Sequence, residues 1–101
     1  IDPNPFSPDN DGYEDFTIIN YNLTQPISQV RIKIFDSKGR LVRTLLNNQP
    51  SGPSGSVVFD GLDDDNKTLR IGIYIVFLEA LNDNSGIVET LKTVVVVARK
   101  L

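Results

Sequence analysis

Oxygen-bearing side chains recur at alternate positions in Ser7-x-Asp9-x-Asp11-Gly12-Tyr13-x-Asp15, near the spacing of a calcium loop. Such a loop takes side-chain oxygens at its positions one, three, five and nine. It adds a main-chain carbonyl at seven and needs a glycine at six for a sharp turn. Ser7, Asp9, Asp11, Gly12, the Tyr13 carbonyl and Asp15 fall on those positions, while Ile18 stands where a bidentate Glu would complete the set. Asp9, Asp11, Tyr13 and Asp15 are therefore candidate calcium ligands, and calcium is the only cofactor the sequence suggests. The alternative is a solvated turn rich in Asx residues that leads into the first strand.

A second acidic cluster, Asp60 to Asp65, invites a pair of carboxylates for glycoside hydrolysis. That chemistry needs a cleft in which burial keeps one carboxyl protonated, and a short loop between strands offers none. The chain has no His and no Cys, so it lacks an ordinary general base near neutral pH and a thiol nucleophile. Ser37 and Lys38 are neighbours on a turn and point apart, which removes a Ser-Lys arrangement. This inventory points to a protein that is not an enzyme. Arg31, Lys33, Lys38, Arg40 and Arg43 fall mostly on alternate positions and read as a solvated face that also discourages edge-to-edge pairing. The formal net charge of −3 argues against nucleic acid as a partner, since phosphate binding needs a surplus of cations on one face.

The elements that must hold these residues are strands. One hundred and one residues are the common size of one domain with one core. Ten Val and ten Ile favour a pleated surface, where branched side chains pack well. Residues 1–15 read as loop, punctuated by Pro3, Pro5, Pro8 and Gly12. Thr17, Ile19, Tyr21 and Leu23 then share one face of a first strand, and Val30, Ile32 and Ile34 one face of a second. Asp36-Ser37-Lys38-Gly39 is a turn. Leu41 to Leu46 is a third strand, since a helix would have to fit between Gly39 and Pro50. Residues 47–55 read as an exposed loop and Ser56 to Phe59 as a short strand. Gly72 to Leu81 is the strongest strand, and Ile87 to Val97 returns alongside it. Val94 to Val97 carries Val on both faces and is expected to be central. The pattern predicts an all-β antiparallel sandwich of six or seven strands. Its expected core holds Ile19, Tyr21, Val30, Ile32, Ile34, Val57, Phe59, Tyr74, Val76 and Leu78. No apolar run is long enough to span a membrane as a helix.

Six short motifs occur in order along the chain. They are Pro3-Asn4-Pro5-Phe6-Ser7-Pro8, Tyr21-x-Leu23, Ile34-Phe35-Asp36-x-x-Gly39-Arg40-x-Val42-x-x-Leu45, Phe59-Asp60-Gly61, Gly72-Ile73-Tyr74 and Lys92-x-Val94-Val95-Val96. Together they resemble the C-terminal sorting domain of proteins exported by the type IX secretion system. They are also similar to the Ig-like domain of the flagellar hook-capping protein. The resemblance implies an Ig-like, fibronectin III-like sandwich. It further implies a non-catalytic C-terminal targeting module that directs a surface or secreted protein across the outer membrane. Its partners would be the outer-membrane secretion machinery and the preceding domains of its parent. By position, Pro3, Asn4, Pro5, Gly72, Tyr74 and Lys92 are the residues the resemblance assigns to the sorting motif. Ile71, where sorting domains carry Ser or Pro, and the long Asp63 to Asn66 loop are closer to the hook-capping relatives. A structural spacer or adhesion module of a cell-surface protein is the alternative. A carbohydrate-binding module would want an exposed aromatic platform, and the aromatics fall mostly inside strands. With Ile at position 1 and no Met, the chain is expected to be one domain, 1–101, of a larger exported protein.

Overall fold

In the computed structural model, which describes residues 1–8, 15–82 and 86–99, six antiparallel strands form two sheets. Strands β1 (Thr17–Asn22) and β4 (Ser54–Phe59) make the smaller sheet. Strands β2 (Ser28–Asp36), β3 (Leu41–Ser51), β5 (Gly72–Leu81) and β6 (Ile87–Val97) make the larger one, in the order β3-β2-β5-β6. No helix among the described residues is long and apolar enough to cross a membrane.

Alternation in β2 and β5 builds the core. Val30, Ile32 and Ile34 are completely buried, and Tyr74, Val76, Leu78 and Ala80 lie beside them on β5. Ile19 and Phe59 close over them from the smaller sheet. Each such side chain removed from water contributes about 1.5–3 kcal/mol. Tyr21 and Val57, also expected inside, are only partly buried. The smaller sheet has just two strands, and Tyr21 lies across Gly55, its cross-strand partner, with its hydroxyl 2.9 Å from Ser51 Oγ.

Two expectations are corrected. Residues 47–55 are not a loop: β3 runs on to Ser51, β4 starts at Ser54, and only Gly52 and Pro53 connect them. Asn48 adopts a positive φ of 53°, and the pairing of β2 with β3 shifts register between Val30 and Ile32. These irregularities let the strand absorb polar residues. Pro50 is tolerated opposite Gln29 because β3 is an edge strand, where a missing N–H costs little. The second correction concerns Val94 to Val97, which belong to an outer strand rather than a central one. Val95 and Val97 point into the core, while Val94 is 46% exposed.

The first residues are more ordered than loop punctuation suggests. Residues 1–8 form a strap between the sheets. Asp2 exchanges two main-chain hydrogen bonds with Ile18 of β1. Four residues later Phe6 pairs in parallel with Val97 of β6. The Phe6 ring is completely buried and meets Phe59 with centroids 5.6 Å apart.

Candidate functional site

The strap explains why the Pro-Asn-Pro-Phe motif has its residue types. Asn4 donates from Nδ2 to the Val94 carbonyl and accepts from the Val96 N–H at Oδ1, both at 3.0 Å. Its carboxamide thereby does the work of a paired peptide group along the outer edge of β6. Phe6 continues the pattern with its own main chain, donating to Val96 O at 3.1 Å and accepting from the Ala98 N–H at 2.8 Å. The peptide bonds before Pro3 and Pro5 are cis. The Pro3 carbonyl accepts the hydroxyl of Thr17, a buried polar residue. Pro8 packs over Gly61, where an added Cβ would lie 2.6 Å from Pro8 Cγ. Gly61 also has a positive φ of 73°, so the turn after Phe59 needs glycine for two reasons.

The acidic cluster serves the fold. Asp60 Oδ1 accepts the Leu62 N–H and an Arg43 guanidinium N–H, each at 3.1 Å. Asp63 Oδ1 accepts the N–H groups of Asp65 and Lys67, and Asp64 Oδ1 accepts that of Thr44 on β3. Arg43 further donates to the Leu62 carbonyl at 2.9 Å. These carboxylates hold a loop against β3 with main-chain donors and one guanidinium, an arrangement that positions backbone rather than substrate. Three of the five cations read as a solvated face are engaged in ion pairs: Arg43 with Asp60 and Asp64, Arg40 with Asp36, and Arg31 with Glu79. Opposite charges in the loops and on the neighbouring strand draw them in, a cross-loop relation that strand alternation does not reveal.

Asp36 is the centre of the turn between β2 and β3. Its carboxylate accepts the N–H groups of Lys38 and Arg40, both at 2.9 Å, and Arg40 Nε at 2.8 Å. The Arg40 main-chain N–H leads the effects that hold its carboxyl below the ordinary aspartate value, against partial burial that works the other way. Gly39, with a φ of 83°, lets the turn close.

Of the residues assigned by resemblance, Pro3, Asn4 and Pro5 lie in the strap, and Gly72 and Tyr74 open β5. Tyr74 is buried and its hydroxyl donates to the Arg70 carbonyl at 2.8 Å, the tyrosine-corner arrangement of Ig-like sandwiches. Burial, foremost, raises its phenol above the ordinary value, and the nearby Asp36 charge adds to this. Lys92 stands apart. It is exposed on β6 in one cross-strand row with Phe77 and Lys33, and no hydrogen bond or ion pair engages its ammonium among the described residues. The structure therefore brings Asn4 beside β6, the strand that carries Lys92, while Tyr74 serves the core and Gly72 starts β5. Phe6, Thr17 and Arg43 complete these contacts. In the sequence Phe6 is marked as the single aromatic inside a proline cluster and Thr17 by sharing a strand face with Ile19, while nothing marked the loop contacts of Arg43.

Of the candidate calcium ligands, Asp9, Asp11 and Tyr13 lie outside the described residues, while Asp15 is described and half-buried. Ser7, at the other end of the loop, is 6% exposed. Among the described residues no group of three His, Cys, Asp or Glu is arranged to hold a metal ion.

Residues 9–84 match the FlgD Ig-like domain, and no curated protein matches the chain. The matched stretch runs from the end of the strap to the β5–β6 turn, and strands β1 to β5, the tyrosine corner and the glycine turns above are its physical content. The chain belongs to the FlgD Ig-like domain family, a family of non-catalytic modules.

Proposed function

We propose that this chain is a C-terminal targeting module that directs a bacterial surface or secreted protein through the type IX secretion system. One observation supports this reading above others: the family is found in the C-terminal domains of type IX cargo as well as in the hook-capping protein. The two motifs outside the matched stretch fit the same reading. Asn4 is tied to β6 within a few residues of Lys92, so the first and last motifs form one surface feature. A targeting module has to fold independently of its cargo and offer an unchanging surface to the secretion machinery. A disulfide-free sandwich with an exposed lysine on β6 meets both needs.

The experiment is a fusion of residues 1–101 behind an inert, periplasm-directed reporter in a cell with a working type IX channel. Surface delivery is expected with the channel and not without it. Lys92→Ala should reduce delivery while leaving stability within about 0.5 kcal/mol, as for other exposed substitutions. A fusion that folds and stays in the periplasm of the competent host would overturn the proposal. The module would then act as a structural spacer in a multidomain cell-surface protein.

A further inference from the structure

The smaller sheet covers the larger one incompletely, and a slot of about 350 Å³ opens between β1 and β6. Val76 and Leu78 of β5 form its floor and Leu91 of β6 one wall. Leu91 stands opposite the buried Leu78 in the register, so its side chain points to the interior. It is nevertheless 36% exposed, an inward residue without full cover. At the far end of the slot the Glu89 carboxylate accepts the N–H and the hydroxyl of Thr24, at 2.8 and 3.0 Å. At the near end stands Ile1.

Ile1 enters the slot from a strand pair. The Asp2 N–H donates to the Ile18 carbonyl at 3.1 Å, and the Asp2 carbonyl accepts the Ile18 N–H at 3.0 Å. In this antiparallel register Ile1 falls opposite Ile19, and it packs against the core. Asn20 and Asn22 turn their main-chain groups to the same side as Ile18, because hydrogen-bonded pairs recur at every second residue. Among the described residues no strand pairs with that edge of β1 beyond Asp2. Counted back along the strap, the residue before Ile1 meets Asn20, the second meets Tyr21 and the third meets Asn22. Since Ile1 faces inward, the second residue before it does too.

We propose that the parent chain immediately preceding Ile1 continues the strap as a third strand of the smaller sheet, pairing with β1 at Asn20 and Asn22 and filling the slot. The inference rests on the reading of this chain as a module that follows its cargo, and it names the segment of the parent that the module holds. Continuity supports this occupant. Pairing already runs into the slot at Asp2 and Ile1, so direction and register are set without a turn. A covalently joined segment also acts at an effective concentration on the order of millimolar, which a separate peptide would have to exceed. The residue next to Ile1 exchanges main-chain hydrogen bonds with Asn20, and the third does so with Asn22. The second lays its side chain over Leu91 beside Tyr21, where an apolar residue completes the core. The end of the cargo is thereby held as part of the sandwich instead of hanging as a tether.

The test compares residues 1–101 with the same chain preceded by the parent's own six upstream residues, by amide exchange and urea unfolding. In the longer chain the Asn20 and Asn22 amides should exchange about tenfold more slowly, and the urea midpoint should rise. Proline next to Ile1 removes the N–H that bonds the Asn20 carbonyl. Aspartate one place earlier sets a charge over Leu91. Either change should return both readings to those of the shorter chain. Leu91→Ala should lower the midpoint more in the longer chain, because only there is the side chain covered. Unchanged exchange at Asn20 and Asn22 in the longer chain overturns the proposal. So does protection that survives the proline. Protection of the same amides in the shorter chain that grows with concentration, with a dimer mass by sedimentation, would assign this edge to a second copy and overturn it too. No secretion channel enters the measurement, so a failure of export and a failure of this pairing are read separately.

Discussion

The carboxamide of Asn4 takes the place of a neighbouring strand's peptide group, giving one donor and one acceptor to β6. A net hydrogen bond is worth about 0.5–1.5 kcal/mol, so Asn4→Ala should cost about 1–2 kcal/mol in urea unfolding. Asp36 and Tyr74 set the response to pH from opposite sides. The folded Asp36 carboxyl lies below its ordinary value of 3.8, so the fold holds this proton less readily than the unfolded chain does. Its stabilising effect is complete above that value and is lost as pH falls through the lower, folded one. Tyr74 is raised above 10.0, so its contribution is complete below pH 10 and declines as pH rises through the folded value. Stability measured across pH should therefore fall on both flanks. Asp36→Asn should flatten the acid flank, and Tyr74→Phe the alkaline one at a cost of about 0.5–1.5 kcal/mol.

At the scale of elements, the strap and the turn after β4 act as one unit, because Phe6 rests on Phe59 and Pro8 on Gly61. Phe6→Ala should cost about 3–5 kcal/mol in chemical unfolding. Gly61→Ala should cost at least about 1–3 kcal/mol from its backbone conformation alone, with the Pro8 contact added. A Gly61→Ala protein as stable as the original would remove this coupling. The sequence made β2 and β5 legible because one buried face forces alternation, and for β5 the expected bounds, Gly72 to Leu81, match. It misread residues 47–55, since Asn, Pro and Gly signal loops unless an edge strand with bulges accommodates them. It misplaced β6 because a run of valines reports burial on each face and not which strands stand on either side. The strap was hidden for a related reason. Its ladder runs through a side chain and across ninety residues of sequence, which no local pattern encodes. Among the site residues, Tyr74 was placed as buried from alternation, whereas the role of Asn4 required the fold.

At the scale of the whole molecule, a two-stranded sheet covers only part of a four-stranded one, and the strap makes up the difference on one side. That asymmetry leaves Lys92 on an edge strand whose outer side the strap bonds only from Val94 to Ala98. The parallel course of the strap and β6 has a mechanical consequence. Asn4 and Phe6 run alongside Val94 to Ala98 in the same direction, so residues 1 and 99 leave the pair at opposite ends. When those ends are drawn apart, the hydrogen bonds between strap and strand are loaded together in shear. None is peeled ahead of the others, and the domain resists traction along its length far better than its small sheet would suggest.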